Sequence, residues 1–238
     1  MKRARFPWLC RLAVLAAAVL TGCTGDKGAD REVSLTTSPA SPTAALMVPP
    51  MPPGDWQSIY EGDQNLLGGV SHRRILVSEN HGVIDRLVLV YRVELGMRYD
   101  FKPRTSCSRP EYYYAVNSSA ANTGSGACWH IREINLGLGG HPHWINVVLA
   151  HYAAGRDEYL PVVMVGARFI RFHDGQLWQV DYGWNPDLLL PPPENTVWQP
   201  ADWTNEAVAS DPAKQVVMET LRHWAEDWEP QIAEQFPF

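Results

Sequence analysis

The chain has 238 residues, with 20 Lys plus Arg against 26 Asp plus Glu and a formal net charge of −6. An acidic chain has no electrostatic footprint for nucleic acid, and it repels an anionic bilayer surface. Nucleic-acid binding and attachment to membranes through a basic patch are excluded on that ground. The N-terminus departs from this balance: Lys2, Arg3, Arg5 and Arg11 precede the apolar run Leu12 to Leu20. The run breaks into Thr21 and Gly22, and Cys23 follows. A cationic start, a short apolar core and a small-residue end form the layout of an export signal. A transmembrane helix needs about 20 apolar residues, roughly twice what this run supplies.

Leu20-Thr21-Gly22-Cys23 resembles the lipobox of bacterial lipoproteins: Leu, a small residue, Gly or Ala, then the lipidated Cys. The resemblance covers residues 1–22 as signal peptide together with Cys23. It implies diacylglycerol on the Cys23 thiol, cleavage before Cys23, and an acyl group such as palmitate on the new N-terminus. Two or three chains, at about 0.8 kcal/mol per buried CH₂, hold a protein stably where one is marginal. The implied address is the cell envelope. Thr24 in place of Asp after the lipidated Cys favours the outer membrane, facing the periplasm, over the inner membrane. Residues 1–22 carry four cations and no acid, so cleavage takes Lys plus Arg to 16 against 26 acids and the charge to −10.

Residues 23–53 follow as a lipidated N-terminus and a disordered tether. Ser, Thr, Ala, Gly and Pro dominate, no aromatic residue occurs, and such a stretch cannot bury enough apolar surface to offset its ordering entropy. Its end, Met47-Val48-Pro49-Pro50-Met51-Pro52-Pro53, has the composition of stiff polyproline II. Residues 54–238 then read as one globular α+β domain. Cys10 leaves with the signal and Cys23 takes lipid, so Cys107 and Cys128 remain as a pair for one disulfide in an oxidising compartment. The competing reading is a nucleophilic or metal-binding thiol.

Residues 72–78 and 83–95 are β-branched apolar runs flanking Glu79-Asn80-His81-Gly82, a hairpin signal. Residues 112–117 and 128–136 read as strands joined by the loop that the disulfide staples. Trp144, Ile145, Val148, Leu149 and Tyr152 stand at helical spacing within 143–154. Residues 160–172 and 176–182 flank His173-Asp174-Gly175, a second hairpin. After a Pro-rich crossing, Asp211 and Pro212 open an amphipathic helix with the stripe Val217, Leu221, Trp224, Trp228, which Pro230 is expected to end. The expected fold is a mostly antiparallel sheet of about six strands with a short central helix and a C-terminal helix.

Three segments carry candidate chemistry. His141 and His143, at one-residue spacing with His130 and His151 in reach, are candidates for zinc, although Gly139-Gly140-His141-Pro142 also suits a loop entering a helix. Arg168 and Arg171 are three apart and so point to opposite faces of a strand, which leaves at most one to clamp an anion. Tyr182, Trp184, Trp198 and Trp203 lie beside Asp and Asn, the chemistry of glycan recognition, or else they form a lid of core aromatics. No Gly-x-Ser-x-Gly elbow, phosphate loop or dinucleotide turn occurs, and pairs such as Asp157 with Glu158 or Asp202 with Glu206 have nothing to single them out. The reading favoured is a non-enzymatic envelope lipoprotein, without cofactor, that contacts another envelope protein. The alternatives are a peptidoglycan- or peptide-binding module through residues 182–203, and a metal-assisted hydrolase using His141 and His143.

Overall fold

The computed structural model describes residues 48–66, 69–95, 107–118, 125–137, 143–156, 159–173 and 175–236. The chain divides into two units, Met1–Pro39 and Ala40–Phe238, and the first lies wholly outside the described residues. Cys23 and the rest of the lipobox therefore lie outside them too.

Two antiparallel meanders meet to make one sheet. The first comprises β1 (Gln57–Leu66), β2 (Gly69–Asn80) and β3 (Val83–Leu95). The second comprises β4 (Tyr114–Asn117), β5 (Ser125–Asn135), β6 (Val163–His173) and β7 (Gln176–Trp184). Pairing of β3 with β7 closes the seven-stranded order β1-β2-β3-β7-β6-β5-β4. Six of these strands were expected from their apolar runs. β1 was not, because it is an edge strand whose residues are almost all exposed or half-exposed and therefore carries no apolar alternation.

The turn between β2 and β3 is the two-residue His81–Gly82, with both φ values positive (52° and 77°), the backbone that matches the twist of a tight hairpin. At the centre of the second meander, Gly166 faces Gly183. A Cβ on Gly166 would sit 1.8 Å from the Tyr182 carbonyl oxygen, so only glycine permits this approach of β6 to β7.

Both sheet faces are covered. On one, α1 (His143–Ala154) packs Ile145 and Leu149 onto Ile75, Val77, Leu87, Leu89, Ile134 and Met164. On the other, α4 (Pro212–Gln235) packs onto Val88, Val90, Trp129, Phe169, Val180 and Tyr182. Between β7 and α4 the Pro-rich crossing folds into α2 (Pro186–Leu189), a 3-10 turn at Pro200–Trp203 and α3 (Asn205–Ala209). These short elements are additions to the two helices expected.

α4 opens as expected, with the Asp211 side chain accepting from the Ala213 and Lys214 N–H groups. It does not end at Pro230, which lies inside the helix. Proline removes the hydrogen bond to the Glu226 carbonyl and its ring crowds that carbonyl, but Glu226 and Pro230 both face solvent, where the carbonyl can tilt outward and bond water. Burial of Ile232 and Phe236 then holds the last turn onto the sheet. The buried face is also rotated by about one residue from the expected stripe. Lys214, Met218, Leu221, Ala225 and Ile232 are buried, whereas Val217, Trp224 and Trp228 flank them, half-buried.

Cys107 and Cys128 are joined in a disulfide that spans 21 residues and packs on Ile170.

Candidate functional site

The aromatic residues proposed from sequence go largely into the core. Tyr182 and Trp203 are each 1% exposed and Trp198 9%, so their faces are not available to stack on a sugar. Trp203 and Trp198 meet edge to face at 5.6 Å, and the ammonium of the buried Lys214 lies 4.5 Å from the Trp198 ring and 5.7 Å from that of Trp203. Lys214 also donates to the Asp202 carbonyl at 2.9 Å. The Trp-rich crossing is thus clamped to the start of α4 by a cation between rings. Trp184 is half-buried and packs edge to face on Trp224 at 4.5 Å.

Tyr182 and Trp184 nevertheless belong to an aromatic ledge that sequence reasoning did not assemble. Trp224 and Trp228 stack at 5.2 Å on α4, and Tyr182 meets both edge to face. Burial pushes the Tyr182 hydroxyl pKa upward, so it stays protonated and a donor. Residues 48–53 run along this ledge, although sequence analysis placed them in the tether. Met51 packs against the same buried core cluster as Trp184, Trp224 and Trp228, a cluster that includes Tyr182. Tyr182 donates to the Pro50 carbonyl at 2.8 Å and Trp56 to the Pro52 carbonyl at 2.8 Å. The available signal was a proline run ending three residues before Trp56 in a chain with ten Trp.

A polar cluster is buried on the opposite face of the sheet, near the disulfide. Arg168 makes a two-pronged ion pair with Asp181, at 2.5 and 2.7 Å. His130, fully buried, faces Arg168 across the β5–β6 pairing and stacks on Tyr112 at 3.7 Å. Neither of its ring nitrogens has a hydrogen-bond partner. Burial, reinforced by the Arg168 charge, lowers its pKa to about 2 and keeps the ring neutral. Arg171 points to the other face, as its spacing from Arg168 requires, and donates to Glu229 at 2.7 Å. Both arginines are therefore engaged by the protein's own carboxylates.

A cleft of about 320 Å³ opens between α4 and the β4 edge of the sheet. Tyr114, Val116, Trp129, Phe169 and Ile232 supply its apolar lining, and Arg171, Glu226 and Glu229 its charged rim. The charges around it are paired: Arg222 donates to Glu219 and Glu226, each at 2.7 Å, and Tyr113 donates to Glu219 at 2.8 Å. These two donors hold the Glu219 pKa below its ordinary value. This arrangement offers shape and apolar surface rather than a nucleophile beside a base.

For the metal candidates, His141 lies outside the described residues, and His143 begins α1 with its side chain outside them. His151 is exposed in the last turn of α1, whereas His130 is buried within the sheet. Among the described residues no group of three or more His, Cys, Asp or Glu is placed to hold a metal, and no described helix is long and apolar enough to cross a membrane. Comparison with protein-family models, with characterised proteins and with solved structures finds no match to this chain.

Proposed function

We propose that this chain is a lipid-anchored protein of the bacterial cell envelope whose domain binds another envelope component without performing chemistry on it. The observation that carries the reading is the disulfide between Cys107 and Cys128, a bond that persists in the oxidising compartments reached by export. It agrees with the export signal at residues 1–22 and with the lipidation expected at Cys23. The cleft beside α4 supports binding rather than catalysis, because it presents aromatic and aliphatic surface flanked by charges already paired within the fold.

Two measurements test this. Mass analysis of the protein from membranes is expected to find a mature chain beginning at a diacylated, N-acylated Cys23, and Cys23→Ser to release it from the membrane fraction. An unmodified Cys23 would overturn the anchor. Photo-crosslinking groups placed in living cells at Ser118 and Glu226, on the cleft rim, are expected to trap a discrete adduct that the same group at exposed Glu61 on β1 does not. Identical adduct patterns from all three positions would overturn the binding role of the cleft.

A further inference from the structure

The segment Val48-Pro49-Pro50-Met51-Pro52-Pro53 has four prolines, and in each X–Pro step the residue before proline is driven to extended backbone. Such a sequence favours the polyproline II helix, with three residues per turn and no internal hydrogen bonds. The burial pattern follows that period: Pro49 and Pro52 are buried, while Val48 and Pro53 are exposed. Prolines lack an N–H, so their carbonyls are the backbone groups that need partners. Four carbonyls of the segment receive one side-chain donor each. Gln235 of α4 donates to Val48, Tyr182 of β7 to Pro50, Trp56 to Pro52 and Arg86 of β3 to Pro53, the last at 2.6 Å.

An aromatic surface beside side-chain donors to the carbonyls is a general means by which proline-rich segments are recognised. Gly54 completes the seat. At φ 150° it turns the chain after Pro53, and a Cβ there would sit 2.4 Å from an Arg86 guanidinium nitrogen. Arg86 in turn lies 5.2 Å from the Trp56 ring centroid. No strand ladder holds the segment, so it can leave without breaking the sheet.

We propose that this ledge is a binding site for proline-rich segments in the polyproline II conformation, occupied in the folded chain by the protein's own residues 48–53. A proline-rich segment of a partner binds by displacing them. Because the resident segment is covalently attached, its effective concentration is on the order of millimolar, and a competitor must overcome that. The proposal deepens the interaction reading by naming a partner class. It is tested on purified protein, whereas that reading is tested by crosslinking at a different cleft in cells, so either can fail alone.

The probe is a synthetic decaproline peptide, titrated against the full mature chain by tryptophan fluorescence. Pro49→Ser/Pro52→Ser, which removes the resident's stiffness, is expected to bind the peptide at least about tenfold more tightly than the unsubstituted chain. Adding Trp228→Ala is expected to abolish that gain. Equal affinity in the folded double variant and the unsubstituted chain, or a gain that survives Trp228→Ala, overturns the proposal. Should the double variant fail to fold, the unsubstituted chain still decides. Excess decaproline is expected to speed peroxide oxidation of Met51, measured by peptide mass, by releasing it from the ledge. An unchanged Met51 rate at saturating peptide overturns the proposal.

Discussion

His130 is the residue whose environment is least balanced. It is held neutral with both ring nitrogens unpartnered, and its folded pKa of about 2 lies far below the ordinary 6.5. The unfolded chain thus binds one more proton wherever the pH lies between these values, and stability falls as pH drops below 6.5. From this group alone the loss reaches about 2 kcal/mol by pH 5. His130→Phe keeps a ring against Tyr112 and removes the titration. Urea unfolding at pH 7.5 and pH 5 is expected to show a smaller acid loss in the variant than in the unsubstituted chain. The neighbouring Arg168–Asp181 pair behaves differently. Removing one partner leaves a buried charge uncompensated, so Asp181→Ala is expected to cost about 3–5 kcal/mol, while Arg168→Met/Asp181→Leu costs much less than the two single changes added together. A double-mutant cycle by denaturant titration checks this. Sequence alone showed that Arg168 and Arg171 take opposite faces, since that follows from the strand period. It could not show their carboxylate partners, which come from β7 and α4.

At the scale of elements, the disulfide closes 21 residues of chain, and replacing both cysteines by Ala is expected to cost about 3 kcal/mol, read as a lowered unfolding midpoint. Pro230 sits inside α4 with its missing hydrogen bond on the solvent side, so Pro230→Ala is expected to raise stability by about 1–3 kcal/mol in thermal unfolding. The elements legible in the sequence were those whose burial leaves a period. β6 is buried along most of its length, β7 alternates Trp178, Val180 and Tyr182 with Gln179 and Asp181, the two are joined at Gly175, whose φ is 80°, and α1 runs over the same residues as its apolar spacing indicates. β1 left no such trace because only Ile59 and Tyr60 of its side chains pack on the core, side by side rather than in alternation. The end of α4 was misjudged because proline's local cost was outweighed by packing of Ile232 and Phe236, a long-range effect. Tryptophan content announced an aromatic surface, but whether a ring is covered depends on elements distant in sequence, as Lys214 between Trp198 and Trp203 shows. The seat for residues 48–53 was illegible for the same reason, since its donors come from Trp56, Arg86, Tyr182 and Gln235.

Over the whole molecule, two local meanders are held together by the β3–β7 pairing, with α1 on one face and α4 on the other. Each covering helix seals a separate apolar layer, so among the described residues the two main cores are divided by one sheet, with a small third cluster around the disulfide. Gln235 donates to the Val48 carbonyl, which sets the beginning and the end of the described fold side by side. Ends in contact can be spliced at little entropic cost. A circularly permuted gene, with a short glycine–serine bridge from Phe236 to Val48 and a new start at Gly82, is expected to yield a molecule with native near-ultraviolet dichroism. Failure to fold would mean that the β2–β3 turn must remain intact for the sheet to assemble.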